Sequence, residues 1–234
     1  MKISVVIPAH NEALVISDTI RAVLAQEYPD FEVVVVNNAS TDKTADVVSA
    51  FPVRLVHEPR KGLLWARERG RQEATGDIVV NIDADCLPDV DWLSRGSAHF
   101  KNEKIVAVTG PYDYHDGARA FRNISLFTQK NIYYFVSKIL QLPFIQSGAV
   151  LIGGNNFIRA DVLKKTGGYN TSILFYGEDT DTAKRVANHG HVHFDRSLYM
   201  KTSARRFKAE GTINITVKYL FHFFRTIFSK KKTY

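Results

Sequence analysis

Four short runs rich in branched apolar residues, at 32–36, 53–56, 77–82 and, earliest, 3–7, fall within the first 82 residues of the chain. None is long enough for a stable helix, and none shows the strict alternation of a strand with one wet face. Each is therefore predicted as a strand buried on both faces. Between them lie stretches with apolar residues at helical spacing, 14–24, 41–48 and 63–74, the last running into Gly76, a C-terminal stop. This alternation implies a mostly parallel sheet flanked by helices on both faces. Another strand is expected at 105–108 and a helix at 182–188. Residues 118–146, rich in Phe, Tyr, Ile and Leu, take no clear assignment. A chain of 234 residues, 45% hydrophobic and 24% charged, fits one α/β domain, and no linker, repeat or low-complexity tract divides it.

The ends of the predicted strands carry the chemistry. Asp83-Ala84-Asp85 closes the fourth strand, at the edge where parallel sheets bind ligands. Two carboxylates there suit a hard cation such as Mg²⁺ or Mn²⁺ that shares its remaining positions with substrate phosphates. Alone, an Asp-x-Asp is more often a polar turn after a strand. Pro8-Ala9-His10-Asn11-Glu12 ends the first strand and Asn37-Asn38-Ala39-Ser40-Thr41-Asp42-Lys43-Thr44 the second. Lys61-Gly62-Leu63-Leu64-Trp65-Ala66-Arg67 follows the third. Further on come Gly153-Gly154-Asn155-Asn156, Tyr176-Gly177-Glu178-Asp179-Thr180-Asp181 and Thr202-Ser203-Ala204-Arg205-Arg206-Phe207. His191 and His193 share a strand face but lack a matched carboxylate, and are expected to face solvent. The single cysteine, Cys86, excludes an internal disulfide and is consistent with a reducing compartment.

In this order the motifs resemble those of the inverting family-2 glycosyltransferases, to about residue 95 and again from Gly153 to Arg185. The resemblance implies a GT-A-like fold and direct displacement at the anomeric carbon of a nucleotide diphosphate sugar. With the strand–helix pattern this gives a donor-binding half at 1–115 and an acceptor half at 116–211, and the charge and helical wheel of the last residues set off a tail at 212–234. Pro8, His10, Glu12, Asn38, Arg67 and Asp83 would surround the donor, and Asp85 with Asp83 would hold the metal. Asp179 would be the general base, with Glu178 orienting the acceptor. Gly153, Gly154, Asn155 and Asn156 would border the acceptor, and Arg205 or Arg206 would meet the leaving diphosphate. Family members often carry Asp where this chain has Asn38. An amide there can accept from a pyrimidine N3–H and donate to the adjacent carbonyl, which tilts the reading toward uridine; an Asn satisfying a turn is the other reading. A nucleotidyltransferase of related fold would carry a glycine-rich basic first turn, absent after Ile7. A non-catalytic sugar-binding module or membrane-recruited scaffold would need neither acid pair.

Charge separates the tail from the body. From Asp195 onward there are ten Lys or Arg against two acids, a net of +8 within a total of +7, so the rest is close to neutral. On a helical wheel Asn214, Lys218, His222 and Arg225 form one stripe, with Ile213, Val217, Leu220, Phe221, Phe224 and Phe228 opposite and Lys230, Lys231 and Lys232 beyond. A basic amphipathic helix of this kind suits an anionic membrane surface rather than nucleic acid. The expectation is a cytoplasmic protein, peripheral on the inner face of the membrane, with a sugar, polysaccharide or lipid-linked acceptor.

Overall fold

The computed structural model describes residues 1–228. The apolar runs form strands β1 (Ile3–Ala9), β2 (Phe31–Asn38), β3 (Arg54–Glu58) and β4 (Ile78–Ile82), separated by helices α1 (Ile16–Leu24), α2 (Thr44–Ser49) and α3 (Leu63–Glu73). Helix α4 (Trp92–Ala98) precedes β5 (Ile105–Thr109) and the short β6 (Tyr112–Tyr114). Helices α5 (Arg119–Thr128) and α6 (Tyr134–Leu140) follow, joined by one π-helical turn, Gln129–Tyr133. Next come β7 (Asn155–Arg159), α7 (Ala160–Lys165), α8 (Glu178–Ala187), β8 (His191–Phe194), β9 (Met200–Thr202), α9 (Arg205–Glu210) and α10 (Thr212–Phe228).

Seven strands make one sheet in the order β3-β2-β1-β4-β7-β5-β8, and β6 pairs with β9 in a small ribbon. Only β7 runs antiparallel to its neighbours, with Ile82 opposite Asn155 and Thr109 opposite Asn156. Alternate residues point to opposite faces. Ile3, Val5, Ile7, Val33, Val35, Val80 and Phe157 pack against Ile16, Ile20, Val48 and Trp92 of α1, α2 and α4. Val6, Val34, Val79 and Ile158 pack against Leu64, Leu163, Ala183 and Val186 of α3, α7 and α8. This is the two-sided sheet that the continuous apolar runs require.

Two expectations change. Residues 153–156, expected as a loop, lead directly into β7, because Asn155 and Asn156 find buried partners for their amides and can enter the sheet. The helix expected from 182 begins at Glu178, with Gly177 as its N-cap in the left-handed region at φ 87°. Glu178 and Asp179 therefore occupy its first turn, where the helix dipole favours acids.

Candidate active site

The ends of β1, β2 and β4 and the start of α8 converge on one acidic cleft. The first two loops are stitched together: Thr41 N donates to Asn11 Oδ1 (2.8 Å), Glu12 N to Thr44 Oγ1 (2.8 Å) and Thr44 N to Asp42 Oδ1 (2.9 Å). His10 Nδ1 lies 2.7 Å from the Asn38 carbonyl oxygen. These bonds fix where Glu12 points. Its carboxylate accepts from Arg205 Nη1 at 2.6 Å, and Arg205 Nε also reaches Asp85 Oδ2 at 3.1 Å. One guanidinium thus bridges an acid from the β1 loop and an acid from the β4 loop.

A second guanidinium works deeper. Arg67 on α3 is buried, with Nη1 3.0 Å from Asp179 Oδ1 and Nη2 3.4 Å from Asp83 Oδ1. It links the two acid pairs that lie far apart in sequence. The other oxygen of Asp83 accepts from the Tyr112 hydroxyl at 2.7 Å. Gly153 and Gly154 fill the space between the pairs. A Cβ at Gly153 would lie 2.5 Å from Asp179 Oδ1, and one at Gly154 would lie 2.3 Å from both the Asp83 carboxylate and the Tyr112 hydroxyl. Only residues without side chains let the backbone approach both carboxylates so closely.

Burial, then the charge of Asp83, pushes Asp85 up to about 6, against the pull of Arg205. Burial and the neighbouring Asp179 push Glu178 up to about 7. Burial also raises Asp179, opposed by Arg67. With Arg67 bonded to Asp179, the negative charge of the pair belongs on Asp179 and the proton on Glu178. Asp179 keeps 29% of its side chain exposed, and its carboxylate also accepts from the Gly153 backbone. Among the described residues no group of three or more His, Cys, Asp or Glu is arranged to hold a metal. Two crowded carboxylates whose repulsion a cation would relieve nonetheless fit a metal that takes its other ligands from a diphosphate.

Not every expected residue reaches the cleft. Pro8 is buried within β1, beyond the last residue paired with β4, where a missing N–H costs no ladder bond. Asn38 spends its amide on backbone: Nδ2 donates to the Glu58 and Arg60 carbonyls (3.1 and 2.7 Å) and Oδ1 accepts from Gly62 N (2.8 Å). It braces the β2 end against the β3–α3 loop, the turn-satisfying alternative. Asn155 and Asn156, expected at the acceptor, are buried. Asn155 accepts from Trp92 Nε1 (3.0 Å) and donates to the Leu198 carbonyl (2.7 Å). Asn156 donates to the Gly153 carbonyl (2.6 Å) and accepts from Asn81 (2.8 Å). Asn156 thus holds the glycine turn from behind, and Asn155 ties the start of β7 to α4 and the Leu198 backbone. Arg206 turns away, stacked 4.1 Å over Phe175 and donating to Glu210 and the Tyr219 hydroxyl. Of the two arginines, Arg205 faces the acids.

The sequence reading missed Tyr112, which carries no motif of its own, and Asp116. The Asp116 carboxylate, held down to about 2 despite partial desolvation, accepts from Ala204 N, Ser203 and Lys208 and so secures the segment that presents Arg205. His193 is half-buried, its ring centroid 4.4 Å from that of His99; His191 is exposed as expected.

The family model described as glycosyl transferase family 2 matches residues 4–167, more than half of the chain. The chain is a family 2 glycosyltransferase. It is similar to glycosyltransferase AglE of Haloferax volcanii, 29% identical over 81% of this chain and 62% of that protein. The probable glycosyltransferase YdaM of Bacillus subtilis is 31% identical over 82% of this chain and 48% of its own length. The glycosyltransferase chain thus spans less than two thirds of either relative. In fold it resembles a mannosyltransferase from Pyrobaculum calidifontis in complex with GDP-Man and Mn²⁺ (TM-score 0.75, 25% identity, covering 98% of this chain and 65% of that one). The nucleotidyltransferase alternative falls with the family match.

Proposed function

We propose that this glycosyltransferase moves a sugar from a nucleotide diphosphate donor to a hydroxyl-bearing acceptor, with inversion and by direct displacement. The single observation that carries the reading is the Arg67 clamp, which sets Asp83 and Asp179 on either side of the Gly153-Gly154 turn. One acid serves the donor end of the cleft and the other the acceptor end, with the glycine turn between them leaving no space for a side chain. Asp179, ionised and held by Arg67, takes the acceptor proton as the new C–O bond forms and the bond to the diphosphate breaks. Glu178, carrying its proton, donates to and orients the acceptor. Asp85, with Asp83 beside it, would hold Mg²⁺ or Mn²⁺; that ion, when bound, supplies charge neutralisation to the leaving diphosphate. Arg205 supplies the same service from the protein side. The Mn²⁺ and GDP-Man of the Pyrobaculum relative support the metal and the donor class. The base preference drawn from Asn38 loses its footing, since that amide is occupied by backbone.

We further propose that α10 lies on an anionic membrane at the inner face of a cytoplasmic membrane, where a lipid-linked acceptor would be met. Ile213, Val217, Leu220, Phe221, Phe224 and Phe228 are all exposed, in support of this reading. Lys230, Lys231 and Lys232 lie outside the described residues. No helix among the described residues is long and apolar enough to cross a membrane.

The test is a donor-hydrolysis and transfer screen over nucleotide sugars with Mg²⁺ or Mn²⁺. Asp85→Ala should abolish turnover and metal-dependent nucleotide binding. Asp179→Asn should lose about two to four powers of ten in transfer while binding donor normally. Full activity of either variant, or of the wild type in chelator, would refute the assigned roles.

A further inference from the structure

Residues 117–146 form a second surface that the catalytic reading does not use. Ile124, Phe127, Ile132, Phe135 and Ile139 are each more than half exposed, and Leu142 and Phe144 extend the row. Their spacings are three, five, three, four and three up to Leu142. The five would throw a regular α-helix out of step. Here it falls on the π turn, whose extra residue carries the row across from α5 to α6 on one face. The opposite face points inward and includes polar groups bonded to the body of the protein. Gln129 bonds the backbone of Tyr112 at N and O (2.8 and 3.1 Å), Ser137 accepts from Val150 N (3.3 Å), and Gln141 bonds Val192 N and O (2.8 and 3.0 Å). A helix in water shows the reverse arrangement. This one turns its polar groups to the protein and its apolar row outward.

Charge indicates what covers the row. Arg119, Lys130 and Lys138 carry the charge of this segment, Arg122 being paired with Asp113, and no acid occurs between Asp116 and Asp161. A second copy of the chain would bring like charges together in a self-complementary interface. A bilayer with anionic headgroups and an acyl interior matches both features. The segment also adjoins α10: Tyr133, Tyr134 and Val136 share one apolar cluster with Phe223, over Val150, Ile152 and Phe194. We infer that the α5–π–α6 helix is itself a membrane-contact element, its apolar row immersed at the headgroup–acyl boundary of an anionic bilayer. The inference uses residues other than those of α10, so the two readings fail separately.

The only native cysteine, Cys86, is buried, so Ile132→Cys in the full chain can be labelled with an environment-sensitive fluorophore without background. Vesicles of phosphatidylcholine with phosphatidylglycerol should shift its emission to the blue, and pure phosphatidylcholine vesicles should do so less. A Phe127→Asp/Phe135→Asp variant should bind anionic vesicles about tenfold or more weakly, with donor binding and circular dichroism unchanged. A parallel Leu220→Asp/Phe224→Asp variant isolates α10. If it abolishes vesicle binding and the label at 132 never leaves water, α10 alone carries attachment and the inference is overturned. A dimer dispersed by Phe127→Asp/Phe135→Asp, with vesicle binding unaltered, would overturn it in favour of self-association.

Discussion

In the sheet, Ile3, Val5, Ile7, Val80 and Phe157 have no exposed surface, whereas in α5–α6 and α10 Phe127, Phe135, Phe221 and Phe228 are more than half exposed. The polar groups invert with them. Asn81, Asn155 and Asn156 are buried in the sheet only because each amide has a partner there. In α5–α6 the fully buried groups are Gln129 and Ser137, while Phe127 and Phe135 face outward. Both regions obey one rule, that apolar side chains leave water, but they leave it in different directions. The sheet makes its own interior, and the outer helices are completed by something else.

The largest effect expected from this contrast is on folding stability. Phe157→Ala should cost about 3–5 kcal/mol, since it opens a void beside Trp92, whose ring centroid is 4.8 Å away. Phe127→Ala should stay within about 0.5 kcal/mol. Urea denaturation of the two variants measures both, and equal losses would erase the distinction between the regions.

A smaller effect is expected at Glu178, where the two regions meet. Its carboxyl is raised in the folded protein, first by burial and then by Asp179. The folded state therefore holds this proton more tightly than the unfolded chain. Stability is present below the ordinary value near 4.5 and is lost as pH rises through about 7. Glu178→Gln escapes that loss. It should match wild type near pH 3.5 to 4 and exceed it by up to about 3 kcal/mol at pH 8. A difference independent of pH would show that Glu178 is not buried as described.

The smallest expected effect sharpens the join itself. The Tyr112 backbone is held by Gln129 of the π turn and its hydroxyl by Asp83 in the cleft. Tyr112→Phe should lower kcat by about the worth of one hydrogen bond, near tenfold, with little change in KM. Gln129→Ala should do so less, and the double variant should fall short of the sum. Strict additivity would mean that the helix and the cleft are uncoupled at this residue.

What the sequence disclosed follows the same division. Strands β1 to β4 and the turns behind them were legible because each is a continuous apolar run ending in polar residues, the local signal of a doubly covered strand. Asp83, Asp85, Glu178 and Asp179 were legible as acids at strand ends and a helix start. Strand β7 was not, because Gly153 to Asn156 reads as a turn until Trp92, Asn81 and the Leu198 carbonyl are known to meet the two amides. Tyr112 and the Arg67 bridge depend on contacts distant in sequence. The 118–146 segment stayed unassigned because its spacing matches no single helical period.

That π turn makes the effect of a length change depend sharply on where it falls. Removing one residue from 129–133 would turn the spacing of five into four, restore plain α geometry and leave the outward row in step. Removing one from the α-helical turns of α5, with the π turn kept, would instead rotate everything downstream by about 100° about the helix axis. Ser137 and Gln141 would then swing off Val150 and Val192, and Phe135 and Ile139 would move toward the protein. In an alignment of related chains, a one-residue gap inside the π turn would be nearly silent, and the same gap one turn earlier a change of phase.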